Sequence, residues 1–105
     1  MIPAGYVSRQ QIDSEIERVK QKLGPEVVRV KHTIAENWSG DPAIYFRIVL
    51  DDSAAAGTER RREVTKAIRR SLFDELRPND NWGLISYFKF RTQSEQAKVN
   101  DPAWA

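Results

Sequence analysis

A chain of 105 residues, 40% hydrophobic and 30% charged, has the composition of an ordinary globular domain large enough to bury a core without staples. The absence of cysteine excludes disulfides, thiolate metal sites and cysteine nucleophiles, and the lone His32 cannot build a multi-histidine cage. Seventeen Lys and Arg against 15 Asp and Glu leave a net +2, too small a surplus to mark a nucleic-acid binder by bulk charge.

The opening residues 1–6 lack the charged and apolar regions of a signal peptide, and no apolar run approaches the ~20 residues of a membrane helix. A cytoplasmic protein with no membrane partner is therefore the expectation. One domain spanning 1–105 is expected, with a tail over 100–105 that frays unless Trp104 docks.

In chain order, Ser8 reads as an N-cap completed by Gln11, with Val7 and Ile12 placed to close a hydrophobic staple. Ile12, Ile16, Val19 and Leu23 then repeat at helical spacing, and Gly24 before Pro25 predicts a left-handed ending. Residues 27–35 alternate: Val28, Val30, His32 and Ile34 on one face, Val27, Arg29, Lys31 and Thr33 on the other. The cluster at 37–42 turns the chain back into a central strand, where Ile44, Phe46, Ile48 and Leu50 share a face.

Residues 54–58 read as loop or a frayed helical start. From Glu59 a second helix carries Val64, Ala67, Ile68, Leu72 and Leu76 as its apolar stripe and ends before Pro78. Residues 78–83 read as a turn cluster and 84–91 as a third strand. Thr92 with Glu95 forms a capping box opening a short helix through about Val99. Phe73, off the stripe and among arginines, is expected to pack under that last helix or in a subunit contact.

The order α-β-β-α-β-α predicts an α+β fold, a two-layer sandwich with a three-stranded mixed sheet and the helices on one face. This order resembles a ferredoxin-like plait lacking its first strand. It is also similar to the cytoplasmic domains of metal transporters and to KH domains of the second type. No G-x-x-G occurs and metal ligands are wanting, so the likeness implies a fold and carries no function.

With the helices on the Ile44–Leu50 side, the opposite face displays Arg29, Lys31, Tyr45, Arg47, Tyr87, Lys89 and Arg91, with Val27, Val49 and Ile85 between them. Solvated strands carry such residues, and a homodimer or another protein could pack on them. Tyrosines flanked by cations also resemble, in chemistry only, the sheet on which RNA-recognition domains stack bases. The expectation is a small non-enzymatic interaction module that forms a homodimer, with single-stranded RNA or DNA binding through this face as the alternative.

An enzyme is the second alternative. Trp38, Asp41, Asn79 and Trp82 should lie at one edge of the sheet and could rim a shallow pocket, or the tryptophans could plug the core. Asp51 and Asp52, at the carboxyl end of the central strand, could hold Mg²⁺, although capping or favouring the positive end of the following helix is the simpler use of Asp52 and Ser53. His32 shares a face with Val30 and Ile34 and reads as a hydrogen-bonded, buried histidine rather than a general base. No Ser-His-Asp arrangement, phosphate loop or dinucleotide fingerprint occurs, and no cofactor is expected.

Overall fold

The computed structural model describes residues 9–104. The elements are α1 (Arg9–Lys20), β1 (Val27–Glu36), β2 (Pro42–Leu50), α2 (Thr58–Leu76), α3 (Pro78–Trp82), β3 (Ile85–Thr92) and α4 (Gln93–Val99). Short 3₁₀ turns at Asp52–Ala55 and Pro102–Trp104 complete the set. The sheet runs β1-β2-β3, with β1 antiparallel and β3 parallel to the central β2. The predicted mixed sheet and helical layer are both present; the expected Ser8 cap and Val7 staple lie outside the described residues.

Period two determines the core. Ile44, Phe46, Ile48 and Leu50 are fully buried, facing Ile12, Ile16 and Val19 of α1 and Val64, Ile68, Leu72 and Leu76 of α2. Ala67, expected in the α2 stripe, is exposed. Phe88 and Phe90 of β3 pack against the same cluster, and Phe88 stacks on Phe46 with ring centres 5.2 Å apart.

Four local readings need correction. α1 ends at Lys20, and the amides of Lys22 and Leu23 turn back to the carbonyls of Val19 and Lys20. Gly24 takes no left-handed conformation, because a following proline pushes its neighbour toward extended backbone. In β1 the register slips between Val27 and Arg29, so Val28 forms a bulge. Val27 thereby packs on the core while Val28 is 42% exposed, the reverse of the simple alternation.

Residues 78–82 form the short helix α3 rather than a turn alone. Arg77 in a left-handed conformation ends α2 and starts α3, and Pro78 suits the first helical position, where no N–H is needed. Gly83 ends α3 at φ +66°, a conformation a side chain would strain, and passes the chain to Leu84 and β3. The Thr92–Glu95 capping box is present in full and α4 ends at Val99, as read from the sequence.

Within the described residues the tail ends in the Pro102–Trp104 turn. Trp104 is 4% exposed and lies against the sheet face opposite α1 and α2, where its ring stacks with the Arg91 guanidinium at 4.3 Å. Arg29 donates to the Trp104 carbonyl at 3.0 Å. Val49, on the same face, is covered to 3% exposure.

Candidate functional site

Strand register arranges the helix-free face into rows. Lys31, Arg47 and Lys89 are paired in sequence across β1, β2 and β3, and Thr33, Tyr45 and Tyr87 form the next row. Arg29, Val49 and Arg91 form a third, beneath the docked tail. Five cations stand on this face and no carboxylate belongs to its strand positions. All seven residues singled out from the sequence therefore share one face. The structure splits them, because Arg29 and Arg91 are committed to the tail.

Arg91 also donates to Gln96 at 3.0 Å and lies 3.8 Å from Asp101. Arg47 donates to the Thr33 hydroxyl. Lys31 and Lys89 are exposed to solvent. Like charges directly opposite one another on neighbouring strands destabilise a sheet, so the Lys31–Arg47–Lys89 row is a local cost that the fold carries.

Tyr45 and Tyr87 stack on each other, ring centres 5.0 Å apart and planes 14° from parallel. Strands lie only about 4.8 Å apart, too close for two rings to lie flat side by side, so these rings stand on edge. Asn37 anchors the pair by donating from Nδ2 to the Tyr87 hydroxyl at 3.1 Å. Its Oδ1 accepts from the amides of Ser39 and Asp41, both at 2.9 Å, and Gly40 at φ +82° closes the same hairpin. Asn37 and Trp104 thus shape the face; the sequence reading missed the first role and gave docking of Trp104 only as the alternative to fraying. Asn37 followed by Ser39 and Gly40 is a turn signature that could have flagged the first.

The tryptophan rim does not form. The loops at 37–41 and 78–84 do share an edge of the sheet, since Ala43 pairs with both Ala35 and Ile85. Yet Trp38 is 92% exposed, while Trp82 is 5% exposed and packs in the core. The groove that Trp82 borders is lined by α1 and the end of α2, and Trp38, Asp41 and Asn79 take no part in it. Burying an indole against Leu84 and Leu76 outweighs keeping it in a wet rim.

The carboxylates are used structurally. Asp51 accepts from the Ser53 amide at 2.9 Å, capping the 3₁₀ turn, and Asp52 holds both the amide and hydroxyl of Ser94 at the start of α4. Those bonds hold the Asp52 carboxyl below its usual range. Among the described residues no group of three or more His, Asp or Glu side chains is placed to hold a metal ion.

His32 Nε2 lies 2.9 Å from Asp13 Oδ1, linking β1 to α1. Burial pushes the imidazole below its usual 6.5, outweighing the opposing pull of Asp13. Because Asp13 raises that value, Asp13→Asn should lower it further, which an NMR titration of the single histidine reads directly. An unchanged or raised pKa would rule out the contact as drawn.

Glu95 has a second duty beyond its capping box. Arg61 of α2 grips it with two nitrogens, at 2.8 and 2.9 Å, and also donates to the Phe90 carbonyl at 3.4 Å. Arg61 first, then the Thr92 amide, holds the Glu95 carboxyl down to about 2 from its usual 4.5. The stability this adds is complete above pH 4.5 and is lost as pH falls from there toward 2. For a side chain 44% exposed, screening reduces the gain to about 1 kcal/mol. Glu95→Gln should therefore lower the urea midpoint at pH 7, and the gap to wild type should narrow below pH 4.5.

None of the described helices is long and apolar enough to cross a membrane. No protein-family model, no curated protein and no solved structure matches this chain.

Proposed function

We propose that this protein is a non-catalytic binding module whose helix-free sheet face takes a single-stranded nucleic acid. The observation that carries the reading is the Lys31–Arg47–Lys89 row, three cations in register across the sheet beside the Tyr45–Tyr87 pair. A phosphate backbone laid along that row would relieve the mutual repulsion that costs the free protein stability. The two half-exposed tyrosines would supply aromatic surface for neighbouring bases, and stacking of this kind is sequence-tolerant. A homodimer through the same face, the leading expectation from sequence, would set one cationic row against its copy. Charge thus favours a polyanion over a second chain.

Fluorescence anisotropy with a labelled single-stranded oligonucleotide, read at several salt concentrations, tests this. The triple change Lys31→Ala, Arg47→Ala, Lys89→Ala should weaken binding by about tenfold or more at ~0.1 M salt and flatten the logarithmic salt slope by about 2. A thermal melt verifies that the variant folds. No binding by wild type at low salt, or equal binding by the triple variant, would reject the proposal. Sedimentation equilibrium supplies the other arm, with a concentration-dependent dimer abolished by the triple variant favouring self-association.

A further inference from the structure

A different surface lies around the edge of the sheet. Among the described residues β3 pairs with β2 on one side only, and no strand lies along its other edge. The Phe90 carbonyl meets Arg61 of α2, so its main chain points to that outer edge, and by period two so do the N–H and C=O groups of Phe88 and Ser86. Alongside runs a groove of about 550 Å³ between β3 and α2, lined by Lys66, Arg69, Arg70 and Phe73 on the helix side. Phe73 does not pack under α4, as the sequence suggested. It lies in this groove, 49% exposed, near the end of α2 remote from the Arg61–Glu95 clasp.

From these features we infer that the β3–α2 groove accepts an extended acidic segment of another protein as an added fourth strand. Unpaired main-chain groups on an edge strand supply the hydrogen bonds of strand addition, and a flanking helix supplies the side-chain pockets. Charge selects the occupant. Lys66, Arg69 and Arg70 make no ion pair with a carboxylate among the described residues, against the single acid Asp74 in the lining. Phe73 adds one apolar contact for a residue on the helix-facing side of the guest. On the guest's other side stands Lys89, so acidic residues are favoured on both faces of the added strand.

A second copy fits less well. Pairing β3 with β3 would bring two sets of these cations together, and the β3 sequence ISYFKFRT contains no acid. The opposite edge, beside β1, lacks this character. Its groove mixes Asp13, Glu17, Lys20, Arg29 and Lys31, with Asp13 engaged by His32 and Glu17 by Lys20.

The test uses the full chain and, as the probe, a capped octapeptide of glutamates with one inner leucine, which puts acid on both faces of the strand and a single apolar side chain on one of them. ¹⁵N-labelled protein is titrated with it and the amide shifts followed. The expected result is saturable movement of the Ser86, Phe88 and Phe90 amides with a Kd of roughly 10–500 μM, tighter at low salt. The double change Arg69→Glu, Arg70→Glu should weaken it about tenfold or more, and Phe73→Ala severalfold. All three positions are on the surface, so thermal melts verify that each variant folds.

Two control peptides narrow the meaning. N-methylation along one edge of the probe removes main-chain donors and should abolish binding, whereas a lysine–leucine peptide should not bind at all. The inference is overturned by an absence of shifts at millimolar probe, or by binding that survives N-methylation. It is equally overturned if sedimentation shows a dimer protecting these β3 amides, or if a single-stranded oligonucleotide moves them while the peptide does not. The Arg69→Glu, Arg70→Glu and Phe73→Ala arms leave the cationic row of the sheet face, Lys89 included, unchanged, so this groove and the nucleic-acid reading can fail separately.

Discussion

Replacing Phe46 by alanine is expected to cost about 3–5 kcal/mol of stability, a large share of what a domain of ordinary stability has. The ring is fully buried at the middle of the central strand, paired in register with His32 on one side and Phe88 on the other. Its stacking partner Phe88 is itself half-buried and packs on the same cluster. Removing the ring deletes that contact and leaves a cavity under α1 and α2 which neither helix can fill, because each is anchored at three or more other buried residues. Urea unfolding followed by circular dichroism measures the loss. Phe46→Leu, which keeps most of the volume, should cost roughly half as much or less. A Phe46→Ala cost near that of an exposed substitution would mean that β2 is not the centre of the core.

Trp104→Ala should be the next largest loss, about 2–4 kcal/mol. The indole is 4% exposed, lies against the Arg91 guanidinium and covers Val49, while its carbonyl accepts from Arg29. Truncation exposes Val49, removes the ring on which Arg91 stacks and loosens the chain after α4. Amide exchange should then rise from Asn100 onward while the strand amides stay protected, and the urea midpoint should fall. A fluorescence check is independent of stability. Trp38 is 92% exposed whereas Trp82 and Trp104 are 5% and 4% exposed, so iodide should quench one class of tryptophan and spare the other. Trp104→Phe should shrink the protected fraction. Full quenching of Trp104 in the native protein would contradict the docked tail.

Arg29 and Arg91 link this tail to the proposed nucleic-acid face. Both belong to the cationic set read from the strands, yet both are held by Trp104, whereas Lys31 and Lys89 are exposed on either side of Arg47. Trp104→Ala would release two further cations onto the face. If the proposed face is the binding surface, the salt dependence of oligonucleotide binding should steepen in that variant even as its stability drops.

Much of this architecture is local chemistry written in short stretches. Alternation over Ile44–Leu50 assigns the buried side of β2, since period two admits no other arrangement once one side is apolar. Val64, Ile68, Leu72 and Leu76 assign the face of α2 in the same way, and Thr92 with Glu95 start α4 by satisfying each other's backbone donors. The set of side chains on the open face follows from that parity, so Tyr45 and Tyr87 were bound to be neighbours once β2 and β3 paired in parallel.

What no short stretch contains is the competition among distant parts for the same space. Val27 and Val28 are chemically equal, and only the pairing of Val27 with Leu50 and of Arg29 with Val49 decides which one bulges out. Trp38, Trp82 and Trp104 look alike in sequence. One projects from a hairpin into water, one fills the core beside Leu84, and one crosses to the far side of the sheet to meet Arg91. Those fates depend on which apolar surface remains uncovered after the helices and strands have packed, a property of the assembled molecule rather than of any segment.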